Sequence, residues 1–222
     1  MAKIQGTNSG SKFTYSLLDS DTYEARIVRF VFIGVQPQRP YQGQAKPDTL
    51  QAKVAFELIG ETVTVTDNEG KEETRPAVVF QDINVGGAGL TRGKAFDLIN
   101  SALGEDKTFD DTALYKDLIN CPVAVTVGQY DNKNTGKPSN CVNGVGALGK
   151  RAKEKLEDST VDTLFFDCYE DDAGMKDIFA GLGNFIQGKI KDAADSDHIP
   201  AIKDSWPTTV EENKDDKESD EF

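Results

Sequence analysis

A chain of 222 residues with 37% hydrophobic content can bury the core of one substantial domain or two small ones, and 12 Phe and 6 Tyr give that core large side chains. No run of about 18 apolar residues occurs, which argues against a spanning helix, and three scattered cysteines with one histidine, His198, argue against a zinc site. The net charge of −13 opposes nucleic-acid binding only as a total: residues 1–150 hold 16 Lys and Arg against 18 Asp and Glu, the remainder 9 against 20.

The opening "MAKIQGTNSGSK" is Gly/Ser-rich and lacks the apolar run of a secretory leader, so a cytoplasmic protein is expected. Cys121, Cys141 and Cys168 then read as reduced structural thiols. "TYEARIVRFVFIGV" (22–35) predicts a strand. Arg26 and Arg29 would fall on opposite faces if it were straight, which calls for a bulge or strong bend. "QPQRPYQGQAKP" (36–47) reads as a loop. In "TLQAKVAFELIGETVTVT" (49–66), Leu50, Ala52, Val54, Phe56 and Leu58 point one way and Gln51, Lys53 and Glu57 the other, as in a half-buried strand. "DNEG" supplies a turn and "TRPAVVFQDINV" (74–85) the returning strand.

"TRGKAFDLINSALG" (91–104) predicts a helix capped by Thr91 and stopped by Gly104, and 110–120 a second, shorter one. Strands resume at 121–130 and 138–148 around the loop 131–137, with a further strand expected at 163–170. Apolar residues from Met175 to Ile190 recur at helical spacing, predicting a helix over 174–190 that packs on the sheet or forms a dimer contact. From about Asp204 onward the composition is that of a disordered segment.

This order predicts a mainly β protein with helical insertions (α+β), built as the five-stranded OB barrel with its helix between strands three and four. Residues 1–203 form that domain, with a helical insert at 91–120 and a C-terminal helix at 174–190, and 204–222 form an acidic tail. The loops 36–47 and 131–137 would flank the ligand groove. They and their surroundings carry the mixture that holds single strands, cations for phosphates and rings for bases. The candidates are Arg26, Arg39, Tyr41, Lys46, Lys53, Tyr130, Lys133 and Lys137, with Arg75, Arg92 and Lys94 secondary. Ordinary surface loops also collect these residue types.

Other motifs fit less well. "GGAGLTRGKAF" lacks the first glycine of a phosphate loop, where Ala88 stands, and its Ser/Thr, where Ala95 stands; a dinucleotide fingerprint fails at Arg92. "DNKNTG" (131–136) places Lys133 and Thr135 where calcium ligands belong. Asp167, Glu170, Asp171 and Asp172 could hold magnesium, or simply form a solvated acidic face. His198 stands beside Pro200 near the acidic end, a poor place for preorganised chemistry. No enzymatic activity, cofactor or metal is expected.

The strand-and-loop order of 23–145, "PVAVTVGQYDNKNTGKPSNCVNGV" and the ending "DDKESDEF" together resemble the single-stranded-DNA-binding proteins of phage replication systems, which pair an OB core with an acidic tail ending in Phe. The resemblance implies a protein that coats single-stranded DNA during replication, recombination and repair in the bacterial cytoplasm, as a monomer or homodimer. It also implies that Asp215, Asp216, Glu218, Asp220, Glu221 and Phe222 recruit a polymerase, helicase or primase and compete with DNA for the basic groove. Two rivals remain: an acidic mimic of DNA that occupies a host DNA-binding protein, and a metal-dependent nuclease using 167–172.

Overall fold

A computed structural model describes residues 14–38, 40–67, 69–85, 92–104, 113–132 and 136–202. The lead-in 1–12, the expected cap Thr91 and the tail 204–222 lie outside them. The short β1 (Thr14–Tyr15) precedes β2 (Thr22–Gln36), whose β-branched and aromatic residues make the central strand. β2 pairs antiparallel with β5 (Pro122–Asn132) through Thr22–Arg26 and with β3 (Thr49–Thr66) through Ala25–Gln36. It serves both partners because it bends: its register against β3 shifts between Ile27 and Arg29 and again between Phe32 and Val35. The first shift is the bulge that the Arg26–Arg29 spacing calls for. It brings both arginines to one face, opposite Glu57 and Ala55.

β4 (Glu72–Asn84) pairs with β3, β6 (Lys137–Ala147) with β5, and the three-residue β7 (Leu164–Phe166) runs parallel to β2. The protein is therefore mainly β, with an antiparallel sheet to which a few helices are added. The expected barrel is not closed. Among the described residues no backbone ladder joins β4 to β6. Helix α1 (Lys94–Leu103) fills that seam instead: Ala95, Leu98 and Ile99 are buried and the Ser101 hydroxyl donates to Val145 O at 3.3 Å. One side-chain bond spans the gap, from Gln81 Nε2 to Val142 O at 3.4 Å.

Phe30, Phe32, Phe56 and Phe166 build the core with Tyr115 of α2 (Ala113–Lys116), whose ring centroid lies 4.9 Å from that of Phe30. The opposite face of the sheet was expected to meet solvent at Gln51, Lys53 and Glu57. It does so only in part, because residues 156–202 cross it. Glu57 is 3% exposed, and its carboxylate accepts from the Thr160 and Val161 amides and the Thr160 hydroxyl. Its cross-strand neighbour Arg26 donates to the carbonyls of Asn120, Leu156 and Glu157 at 2.8, 3.0 and 2.7 Å. The pair thus pins a strap across the sheet. Glu57→Gln turns one acceptor towards amide donors, and an expected loss of about 1–2 kcal/mol is to be read by urea unfolding.

Beyond α3 (Lys150–Lys155) and β7, the helix predicted over 174–190 divides into α4 (Ala173–Gly181) and α5 (Asn184–Lys191). The break falls at Leu182–Gly183, where Gln187 Nε2 takes up the carbonyls of Phe179, Ala180 and Leu182. α4 is capped by Asp172, which accepts from the Gly174 amide at 2.7 Å, and packs Phe179 against Phe166. Two short 3₁₀ turns, Ser196–His198 and Pro200–Ile202, follow α5. Among the described residues no helix is long and apolar enough to cross a membrane.

Candidate nucleic-acid interface

Alternation along β4 buries Val79, Gln81 and Ile83 and turns Phe80, Asp82 and Asn84 outward. Across the ladder, Lys53 of β3 stands opposite Asp82 and Gln51 opposite Asn84. Lys53 Nζ lies 2.9 Å from Asp82 Oδ1 and 5.6 Å from the ring centroid of Phe80, which is 39% exposed. From α5, Lys189 Nζ reaches Asp82 Oδ2 at 4.0 Å and lies 5.5 Å from the exposed ring of Phe185. Lys94, the first residue of α1, donates to the Asp82 carbonyl at 3.4 Å. Three lysines from three separate elements meet at one aspartate.

Local chemistry sets each of these positions. α5 is fixed to the end of β2 by Gln36, whose Nε2 donates to Ile33 O at 2.6 Å and Lys189 O at 2.9 Å. The Phe185–Lys189 spacing then puts ring and ammonium on one helix face. The loop after β2 is tied to the same row, because Asn84 Nδ2 donates to Gln38 Oε1 at 3.2 Å and Gln38 Nε2 to Pro47 O at 2.8 Å. Its tip is a tight turn: Tyr41 and Gln44 exchange backbone bonds of 2.9 and 3.0 Å around Gln42 and Gly43, both at positive φ. There Tyr41, 61% exposed, carries Lys46 Nζ 5.0 Å from its ring centroid. Three exposed rings therefore each have a lysine beside them. A flat π-face offers stacking to a base, and the neighbouring ammonium offers a counterion to its phosphate.

The candidates from the sequence divide. Tyr41, Lys46, Lys53 and Lys94 belong to this end of the sheet, with exposed Arg92 two residues before Lys94. Arg26 does not: its side chain is 11% exposed, and besides its three carbonyls it meets Asp158 at 3.4 Å, so it is spent on holding the strap. Arg75 sits towards the far end of the β3–β4 hairpin, opposite Val63, and is bonded to Glu73 at 2.6 Å. Tyr130 (48% exposed) and Lys137 lie at the β5–β6 tip, beyond the Thr22–Thr126 pair, whereas the 37–48 loop leaves the other end of β2. The two loops are thus not brought to one place. Arg39, Lys133 and the acidic residues Asp215, Asp216, Glu218, Asp220 and Glu221 with Phe222 lie outside the described residues.

Phe80, Phe185 and Lys189 were missed by sequence reasoning. Phe80 was legible in "VVFQDIN", where Val79, Gln81 and Ile83 alternate inward. Phe185 was hidden in an apolar stripe, and only the break at Leu182–Gly183 turns it outward.

The remaining motifs have structural uses. Asp167 is buried and accepts from the Tyr169 amide at 3.0 Å, burial raising its carboxyl above the usual range. Asp172 caps α4, and among the described residues no three His, Cys, Asp or Glu side chains gather as metal ligands. Burial also pushes the Cys168 thiol far up, while His198 is exposed in a short 3₁₀ turn. Gly93 precedes α1 and Asn132 pairs with Lys137 where β5 and β6 meet, while 86–91 and 133–135 lie outside the described residues. Compared with known proteins, the sequence matches no family model and no curated protein.

Proposed function

We propose that the protein binds single-stranded DNA without catalysis, as the phage replication proteins that its sequence resembles do. One observation carries the reading: three exposed rings, Tyr41, Phe80 and Phe185, each with a lysine 5.0 to 5.6 Å from its centroid, two of those lysines meeting at Asp82. The strand order β4-β3-β2-β5-β6 supports an OB-like arrangement whose closing ladder is replaced by α1. In this reading the anionic run 211–222 recruits replication and recombination enzymes and, by charge, competes with the polynucleotide for the lysines.

Fluorescence anisotropy with labelled oligo-dT tests it. Binding is expected at low salt and weakens as salt rises, with a slope of about −0.7 in log K against log salt per phosphate contact. The double variant Lys53→Gln/Lys189→Gln flattens that slope by about 1.4. No anisotropy change at low salt would remove the reading and leave the acidic DNA mimic, which the net charge of −13 favours.

A further inference from the structure

Among the described residues, Asp82 is the carboxylate that both Lys53 and Lys189 meet, and its placement is unlike that of an ordinary surface partner. It stands in the middle of the outward row, between Phe80 and Asn84, where a polynucleotide crossing the rings would have to pass. Both of its oxygens are used, by Lys53 at 2.9 Å and Lys189 at 4.0 Å, and Lys94 is bonded to its carbonyl at 3.4 Å. The side chain is still 47% exposed. An ion pair this open to water contributes little to stability, so its cations can be transferred to another anion at small cost. We infer that Asp82 is the resident anion of the interface: it orders the lysine side chains in the free protein, is displaced from them by phosphate, and thereby sets the affinity below what the three lysines alone would give.

The inference rests on the single-stranded-DNA reading and deepens it. Asp82→Asn separates charge from position, because the amide oxygen still accepts from Lys53 while the negative charge is gone. Oligo-dT titrations at several salt concentrations compare it with the wild-type chain and with Glu72→Gln, which removes a charge at the far end of β4. The variant is expected to bind about 3- to 10-fold more tightly at low salt, with a salt slope close to that of the wild-type chain, because phosphate displaces Asp82 and the same lysines meet it in both. Glu72→Gln is expected to change affinity less than twofold. Equal or weaker binding by Asp82→Asn, or a gain that Glu72→Gln matches, would overturn the inference and leave DNA binding standing. If neither the wild-type chain nor Asp82→Asn binds at low salt, the functional reading and the inference fall together.

Discussion

Replacing Phe80 and Phe185 together by alanine is expected to weaken the proposed oligo-dT binding by about 2–6 kcal/mol, at about 1–3 kcal/mol for each ring that loses a stacked base. The loss is confined to binding, because the rings are 39% and 41% exposed and neither belongs to the buried core. Lys53 and Lys189, 5.6 and 5.5 Å from the ring centroids, keep their ion pairs to Asp82 when the rings are removed. Affinity therefore drops while the salt slope, which counts phosphate contacts, changes little. Tyr15→Ala is the control, since Tyr15 is exposed to 42% on β1, away from the row. A double variant that binds within twofold of the wild-type chain would mean that the rings face solvent without meeting bases.

Gly34→Ala has the largest expected effect on stability, about 2–5 kcal/mol. Gly34 lies within the second register shift of β2 at φ +78°, a left-handed conformation that costs a side-chain-bearing residue about 1–2 kcal/mol. An added methyl would stand 2.6 Å from Ala193 Cβ and 3.1 Å from both Asp195 Oδ1 and Ile199 Cδ1, an overpacking that costs about 1–3 kcal/mol more. The clash falls on the joint that holds the end of the domain to β2. There Ala194 N donates to Val35 O at 2.9 Å, Val35 N to Asp195 Oδ1 at 2.8 Å, and the Tyr169 hydroxyl to Asp195 Oδ2. Calorimetry is expected to show Tm lowered by about 10 °C. Because α5 leads directly into this joint, Lys189 and Phe185 lose their seat, and the proposed oligo-dT affinity is expected to decrease as well. An unchanged Tm would show that the segment around Ala193 is free to move aside.

The sheet was legible where one residue decides its own environment. β3 occupies 49–66 as read from its alternation, and the bulge in β2 followed from the odd spacing of two arginines. What could not be read are the partners that lie far along the chain. Nothing near Arg26 or Glu57 announces that carbonyls and amides 94 to 131 residues away will take up their charges. Arg26 consequently looked like a groove cation, and Glu57 like a solvent-facing carboxylate. The patch around Asp82 has the same character: Lys53, Lys94 and Lys189 carry no local pattern that joins them, and only the docking of α1 and α5 on the sheet does so. α3 escaped because its sequence, KRAKEK, has almost no apolar stripe. The open seam between β4 and β6 escaped because strand order alone does not tell a ladder from a helix-filled gap.

Ultraviolet cross-linking of oligo-dT to the full-length protein, with the modified peptides mapped by mass spectrometry, tests the central claim most directly. Adducts are expected on the peptides that carry Tyr41, Phe80 and Phe185, and they should fade as salt releases the strand. Adducts confined to the β5–β6 tip at Tyr130, or none at all under conditions of saturating oligonucleotide, would contradict it.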